Sequence, residues 1–111
     1  EELANALTES TALVTIMHSN NEVGTIQPIQ EISNRIATYR QSTNSNNVLF
    51  HCDGAQSFGK VMMNTFGIDM LTIVGHKFGA PKGVAALFTR KNIPASLTPM
   101  LVGGGQEGGC R

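Results

Sequence analysis

Three short apolar runs, residues 12–17 (Ala-Leu-Val-Thr-Ile-Met), 48–52 (Val-Leu-Phe-His-Cys) and 70–74 (Met-Leu-Thr-Ile-Val), each give way to a polar cluster with turn chemistry. Their length and β-branched content are those of buried strands. Between the first two, Pro28 suits a helix's first turn, and Ile29, Ile32, Ile36 and Tyr39 recur at helical spacing as far as about Gln41. Strand, helix and strand within about forty residues make one right-handed crossover, so the first two strands are expected to be parallel. The third run reaches the next β-type run, residues 84–89, through only nine residues, including Pro81 and three glycines. A parallel return needs a dozen or more residues, so the fourth strand is expected to be antiparallel to the third. The fold class that follows is α/β, a mixed, mainly parallel sheet flanked by helices.

Lesser elements fill the rest. Leu3 and Leu7, four apart, read as the last turns of a helix beginning before residue 1. Residues 55–59 suit a turn or short helix, 61–65 a short extended piece and 91–97 a connector. Residues 99–102 suit a short strand before a glycine-rich tail. A chain of 111 residues is one domain at most. Charged residues make up 14% and apolar residues 41%, against the roughly 25% charged that is usual in a soluble domain. That profile suits the middle of a larger α/β domain, with central strands covered on both faces. With Glu1 in first place, the expectation is a partial domain over residues 1–111, cut at both ends, that alone leaves apolar surface exposed.

Charge narrows the partners. Eight basic and eight acidic residues cancel, leaving no field to attract nucleic acid or an anionic membrane. No apolar stretch approaches the roughly 18 residues of a membrane span, and the amino terminus lacks a signal-peptide pattern. A soluble, cytoplasmic protein is expected, with a mitochondrial location left open. Cys52 and Cys110 form no Cys-x-x-Cys pair and read as structural. With His18, His51 and His76 scattered, no metal site is expected.

The polar clusters carry the chemistry. They are Asn-Asn-Glu-Val-Gly at 20–24, Asp-Gly-Ala-Gln-Ser-Phe-Gly-Lys at 53–60, and Gly-His-Lys-Phe-Gly at 75–79. Clusters just past the ends of parallel strands converge on one site. Lys77, after an apolar run and between glycines, suits an amine held close to a small cofactor. Such amines bond to carbonyls once desolvation or nearby cations lower their pKa; the alternative is a surface lysine in a glycine-rich turn. For Asp53 the alternative is a cap on the following turn, for Gln56 a satisfied polar side chain, for Asn21 a turn residue and for His76 a packed loop residue. A rival reading is a phosphate loop, since residues 54–60 match Gly-x-x-x-x-Gly-Lys after a strand; Val61, however, replaces the hydroxyl that would hold magnesium.

In order, Asn-Asn-Glu-x-Gly, Asp-x-Ala-Gln-x-x-Gly-Lys, Gly-His-Lys-Phe, Gly-x-Pro-Lys-Gly and Gly-Gly-Gly-Gln-Glu run from about Leu13 to Arg111. Asp53-Gly54-Ala55-Gln56 supplies the start of the second of them. The series resembles the pyridoxal-phosphate large domain of the class V aminotransferase-like family, in its cysteine desulfurase and selenocysteine lyase branch. The resemblance implies a pyridoxal 5'-phosphate enzyme that removes sulfur or selenium from L-cysteine or L-selenocysteine and leaves alanine. It implies that Lys77 binds the cofactor aldehyde and moves the substrate proton, and that Asp53 pairs with the ring nitrogen. Gln56 is implied at the phenolic oxygen, His76 at the phosphate, and Asn21 close to the cofactor oxygen and the substrate carboxylate. It also implies a homodimer and a sulfur- or selenium-accepting partner protein. Val74, where many relatives have a serine or threonine, leans toward the selenocysteine lyases. Gly108 stands at a position usually held by arginine. Several groups of the family pattern, including the ring-stacking histidine, the substrate-binding arginine and the acceptor cysteine, are not among these residues. The 111 residues alone are therefore expected to be inactive, and a non-catalytic truncated product is the second hypothesis.

Overall fold

The computed structural model describes residues 2–44, 47–93, 97, 98, 100 and 105. Helix α1 is Glu2–Ala6 and strand β1 is Leu13–Met17. Helix α2 is Ile29–Thr43, followed by β2 (Leu49–Asp53) and β3 (Met70–Val74). A single 3-10 turn, Gly75–Lys77, precedes β4 (Ala85–Thr89). Of the expected strand at 99–102 only Met100 is described, and Cys110 lies outside the described residues.

The strands lie side by side in the order β1-β2-β3-β4. β1 and β2 are parallel with Met17 opposite Asp53, and β2 and β3 are parallel with Asp53 opposite Thr72. β3 and β4 are antiparallel with Val74 opposite Ala85, as the short link between them requires. The mixed sheet expected from the sequence is therefore present. Each strand is displaced by at most one residue from its expected start. β2 extends to Asp53, so this carboxylate stands on the strand's last residue and not beyond it. Residues 61–65, expected to be extended, join no strand.

α2 covers one face. Its apolar stripe puts Ile29 and Ile36 into a core with Val48, Phe50, Cys52, Ile68 and Leu71, while Ile32 and Tyr39 pack against that core from the side. Pro28 stands at its N-cap, and the Ile32 N–H donates to the Pro28 carbonyl at 3.0 Å. The helix stops at Asn44, whose left-handed backbone (φ 49°) turns its N–H back onto the last carbonyls; asparagine tolerates that conformation because its short side chain bonds locally. On the opposite face Leu13 and Leu87 remain half exposed, and all five residues of β4 are exposed. Parallel strands are stable with both faces covered, so the bare face meets the expectation drawn from composition.

At the amino end of the parallel strands sits an ionic clamp that spacing did not reveal. Asp69 is fully buried. Its Oδ2 accepts from the Phe50 N–H at 2.8 Å and from Arg40 Nη2. Its Oδ1 accepts from Arg90 Nε at 3.0 Å, and Arg90 Nη2 lies 2.7 Å away. Arg40 also donates to the Val48 carbonyl, from Nε at 2.9 Å. One carboxylate thus ties α2, the start of β2 and the residue after β4.

Candidate active site

The carboxyl ends of β1, β2 and β3 lie at the other end of the sheet, and each delivers one of the three clusters. The first emerges from β1 as a loop that folds back through a bridge between Ser19 and Ile26. Within it Asn20 makes the turn: its Oδ1 accepts from the N–H groups of Glu22 and Val23 at 2.9 and 3.0 Å. Asn21 is left exposed at the tip. The adjacent asparagines therefore divide their work, one shaping the loop and the other presenting a free amide.

Asp53 ends β2, partly buried. Its Oδ1 accepts from the Ala55 N–H at 2.9 Å, so it caps the following turn and keeps Oδ2 for another partner. That turn closes on itself. The Ser57 and Phe58 N–H groups donate to the Gly54 carbonyl at 3.1 and 2.8 Å, and those of Lys60 and Val61 donate to Ser57 at 2.9 Å. Amides consumed in this way are not presented to a phosphate, which removes the nucleotide-loop reading of residues 54–60. Gly54 is required for close approach, since a Cβ there would lie 2.9 Å from Leu71 Cδ1 and 3.1 Å from the Thr72 carbonyl oxygen. Gln56, on this turn, is partly buried.

Lys77 closes the 3-10 turn after β3, partly buried, beside the exposed His76. The turn is held by the Gly75 N–H donating to Val84 at 2.9 Å and by the Phe78 and Ala80 N–H groups donating to Gly75 at 3.1 Å. Phe58 and Phe78 meet with ring centroids 5.6 Å apart and planes inclined by 59°, which joins the Asp53 turn to the Lys77 loop.

The side chains of Asn21, Gln56, His76 and Lys77 have no hydrogen-bond partner among the described residues. An amine, a carboxylate oxygen, two amides and an imidazole are thus left uncommitted at one end of the sheet. This donor set fits pyridoxal phosphate, which presents an aldehyde, a ring nitrogen, a phenolic oxygen and a phosphate.

Two features of this end were missed in the sequence. His51 is bonded at both ring nitrogens, Nδ1 to Thr15 Oγ1 at 2.6 Å and Nε2 to Thr72 Oγ1 at 2.8 Å. The signal was present, for Thr15, His51 and Thr72 are polar residues set inside the three apolar runs. On the helix-covered side a cavity of about 280 Å³ is lined by His18, Pro28, Ile29, Gln30, Glu31, Met62, Met63 and Asn64. Burial there lowers the His18 pKa from its ordinary value. The Cys52 thiol is pushed up to about 11 by burial and then by the charge of Asp53; a thiol so held is an inert packing group, as expected. Among the described residues no three His, Cys, Asp or Glu side chains are grouped to hold a metal ion. Among the described residues no helix is long and apolar enough to cross a membrane.

Comparison with known proteins accounts for this arrangement. The aminotransferase class-V profile matches residues 1–108. The chain is 49% identical over its whole length to a mitosomal cysteine desulfurase of Trachipleistophora hominis, of which it covers 24%. It is 45% identical to a cysteine desulfurase of Rickettsia africae, of which it covers 26%. Among solved structures, SspA in complex with cysteine superposes with a TM-score of 0.85 at 41% identity, over 99% of this chain and 30% of that one. The chain thus spans about a quarter of the length of the curated relatives it matches. By profile, sequence and fold, the chain belongs to the aminotransferase class-V family of pyridoxal-phosphate proteins, alongside the cysteine desulfurases.

Proposed function

We propose that these residues form part of a larger pyridoxal-phosphate domain that removes sulfur from L-cysteine and leaves alanine. The observation that carries the proposal is the pair formed by the uncommitted Asp53 Oδ2, at the end of β2, and the uncommitted Lys77 amine, in the turn that follows the adjacent parallel strand β3. The cysteine desulfurase names of the relatives and the cysteine bound to SspA support the substrate. Selenocysteine is the finer alternative, favoured by Val74, which offers no hydroxyl where many relatives do.

Pyridoxal phosphate supplies an electron sink for charge developing at the substrate α-carbon. Lys77 would hold the cofactor aldehyde, and its amine would take a proton from the substrate α-carbon and return one to the product. A base is effective only within hydrogen-bond reach of that proton, and the short turn Gly75–Lys77 keeps the amine near the sheet end. Asp53 keeps the ring nitrogen protonated through Oδ2, while its bond to Ala55 restrains the carboxylate. Gln56 would donate to the phenolic oxygen and His76 to the phosphate, and Asn21 would stand close to the cofactor oxygen and the substrate carboxylate. Cys52, buried with a raised pKa, is unsuited to accept the sulfur. The acceptor thiol, a homodimer partner and an acceptor protein are assigned outside the described residues. An intracellular compartment belongs to the same proposal, and one named relative is mitosomal.

The test is Asp53→Ala in the protein that contains these residues, assayed for alanine release from cysteine and from selenocysteine. Turnover is expected to fall by orders of magnitude while the cofactor stays bound, because the aldehyde and phosphate contacts persist. Turnover within about twofold of wild type, roughly 0.4 kcal/mol in barrier, would refute the ring-nitrogen role.

A further inference from the structure

Thr15, His51 and Thr72 lie on three adjacent strands and face the same side of the sheet, away from α2. Thr15 stands directly opposite His51, and Thr72 directly opposite Asp53. The imidazole spans the pleat between them, with its two ring nitrogens bonded to the two hydroxyls at 2.6 and 2.8 Å.

Thr72 therefore grips β2 on both sides of Asp53. Two residues before it, the Thr72 hydroxyl holds His51 Nε2 at 2.8 Å. One residue after it, the Thr72 carbonyl accepts from the Gly54 N–H at 3.0 Å. Thr72 is also five residues before Lys77 on the same segment. A carboxylate and an amine that must address opposite ends of one small ring are thus referred to a single residue. A backbone ladder alone sets strand register but leaves the side-chain face free to twist; a side-chain bridge across three strands restrains it.

We propose that the Thr15–His51–Thr72 bridge is a positioning element that sets the Asp53 carboxylate relative to Lys77. This rests on the pyridoxal-phosphate reading given above. His51 is a positioning residue in this account, acting through Asp53, and touches neither substrate nor cofactor.

Thr72→Val keeps the β-branched shape and the carbonyl that holds Gly54 but removes the hydroxyl, whereas Thr72→Ser restores the hydroxyl. Both variants are compared with wild type in the protein that contains these residues, by kcat and KM for alanine release, by the pH titration of the bound cofactor's visible absorbance, and by thermal midpoint. Thr72→Val is expected to lower kcat about tenfold with KM little changed, because small misplacement of reacting groups acts on the transition state. Its absorbance titration is expected to be displaced, and Thr72→Ser to restore both quantities to within about twofold of wild type. Thr15→Val, which removes the other anchor from β1, is expected to move both readouts in the same direction by about threefold or less in kcat; it tests the bridge should Thr72→Val fail to fold. A lowered thermal midpoint with kcat and titration unmoved would overturn the proposal, as would wild-type values throughout. Wild-type protein with no visible band and no reducible lysine adduct would instead overturn the pyridoxal-phosphate reading beneath it.

Discussion

Two aspartates mark opposite ends of the same sheet, and they are treated in opposite ways. Asp69, at the amino end, is fully buried and has both oxygens committed to two arginines and a backbone amide. Asp53, at the carboxyl end, is partly buried and gives one oxygen to one amide. The contrast extends to the surroundings. The buried side-chain atoms without a partner among the described residues, His18 Nδ1, Gln30 Oε1 and Ser57 Oγ, all follow the carboxyl ends of β1 and β2 or open α2 beside them. Native proteins satisfy nearly all such groups, with protein or with ordered water. The amino end holds the sheet together; the carboxyl end keeps polar groups in reserve.

If that division holds, stability and function separate by mutation. Asp69→Asn removes a charge that two arginines face, one of them with its side chain only 16% exposed. Breaking a buried pair from one side costs about 3–5 kcal/mol, so the urea midpoint is expected to fall strongly. Asp53→Asn keeps an Oδ1 that can accept from the Ala55 N–H and changes only the charge, so it is expected to leave that midpoint nearly unchanged. Equal losses from the two substitutions would erase the distinction between the ends.

Gly54→Ala sharpens the comparison at the carboxyl end. The added Cβ meets the Thr72 carbonyl oxygen at 3.1 Å and Leu71 Cδ1 at 2.9 Å. Overpacking of this kind costs about 1–3 kcal/mol, and the displaced backbone carries Asp53 with it. Reduced cofactor occupancy, read as visible absorbance per protomer, is expected along with the lower denaturation midpoint. Unchanged occupancy would show that Asp53 is not held through this contact.

The smallest effect concerns His18. Burial holds its folded-state pKa below the ordinary 6.5, so the unfolded chain binds more protons as pH falls below that value. Its contribution to stability is therefore fully present above pH 6.5 and lost progressively in more acidic solution. Denaturation midpoints followed from pH 8 to 5 should decline less steeply in His18→Gln than in wild type. Identical slopes would mean that His18 is not buried in its neutral form.

The fold was largely legible in the sequence because each signal was local. The β-type runs, the isoleucine stripe of α2 and the short link before β4 each act over a few residues, and from them the parallel pairing of β1 with β2 and the antiparallel pairing of β3 with β4 followed. Asp53, Gln56 and Lys77 were legible as candidates because strand ends are visible as breaks in apolar runs. The clamp was not legible: Asp69 meets partners 29 and 21 residues away, and nothing in the spacing of single charges reports such a meeting. The division between Asn20 and Asn21 was hidden for another reason. Both are turn residues by type, and only the hydrogen bonds of Asn20 to Glu22 and Val23 separate them.

The central claim is that the carboxyl end holds pyridoxal phosphate through one particular amine. Borohydride reduction of the cofactor-loaded protein that contains these residues, followed by peptide mass mapping, tests it most directly. The account predicts a single cofactor adduct on Lys77, the residue that closes the turn after β3. An adduct on Lys60 or Lys82, with Lys77 unmodified, would contradict it.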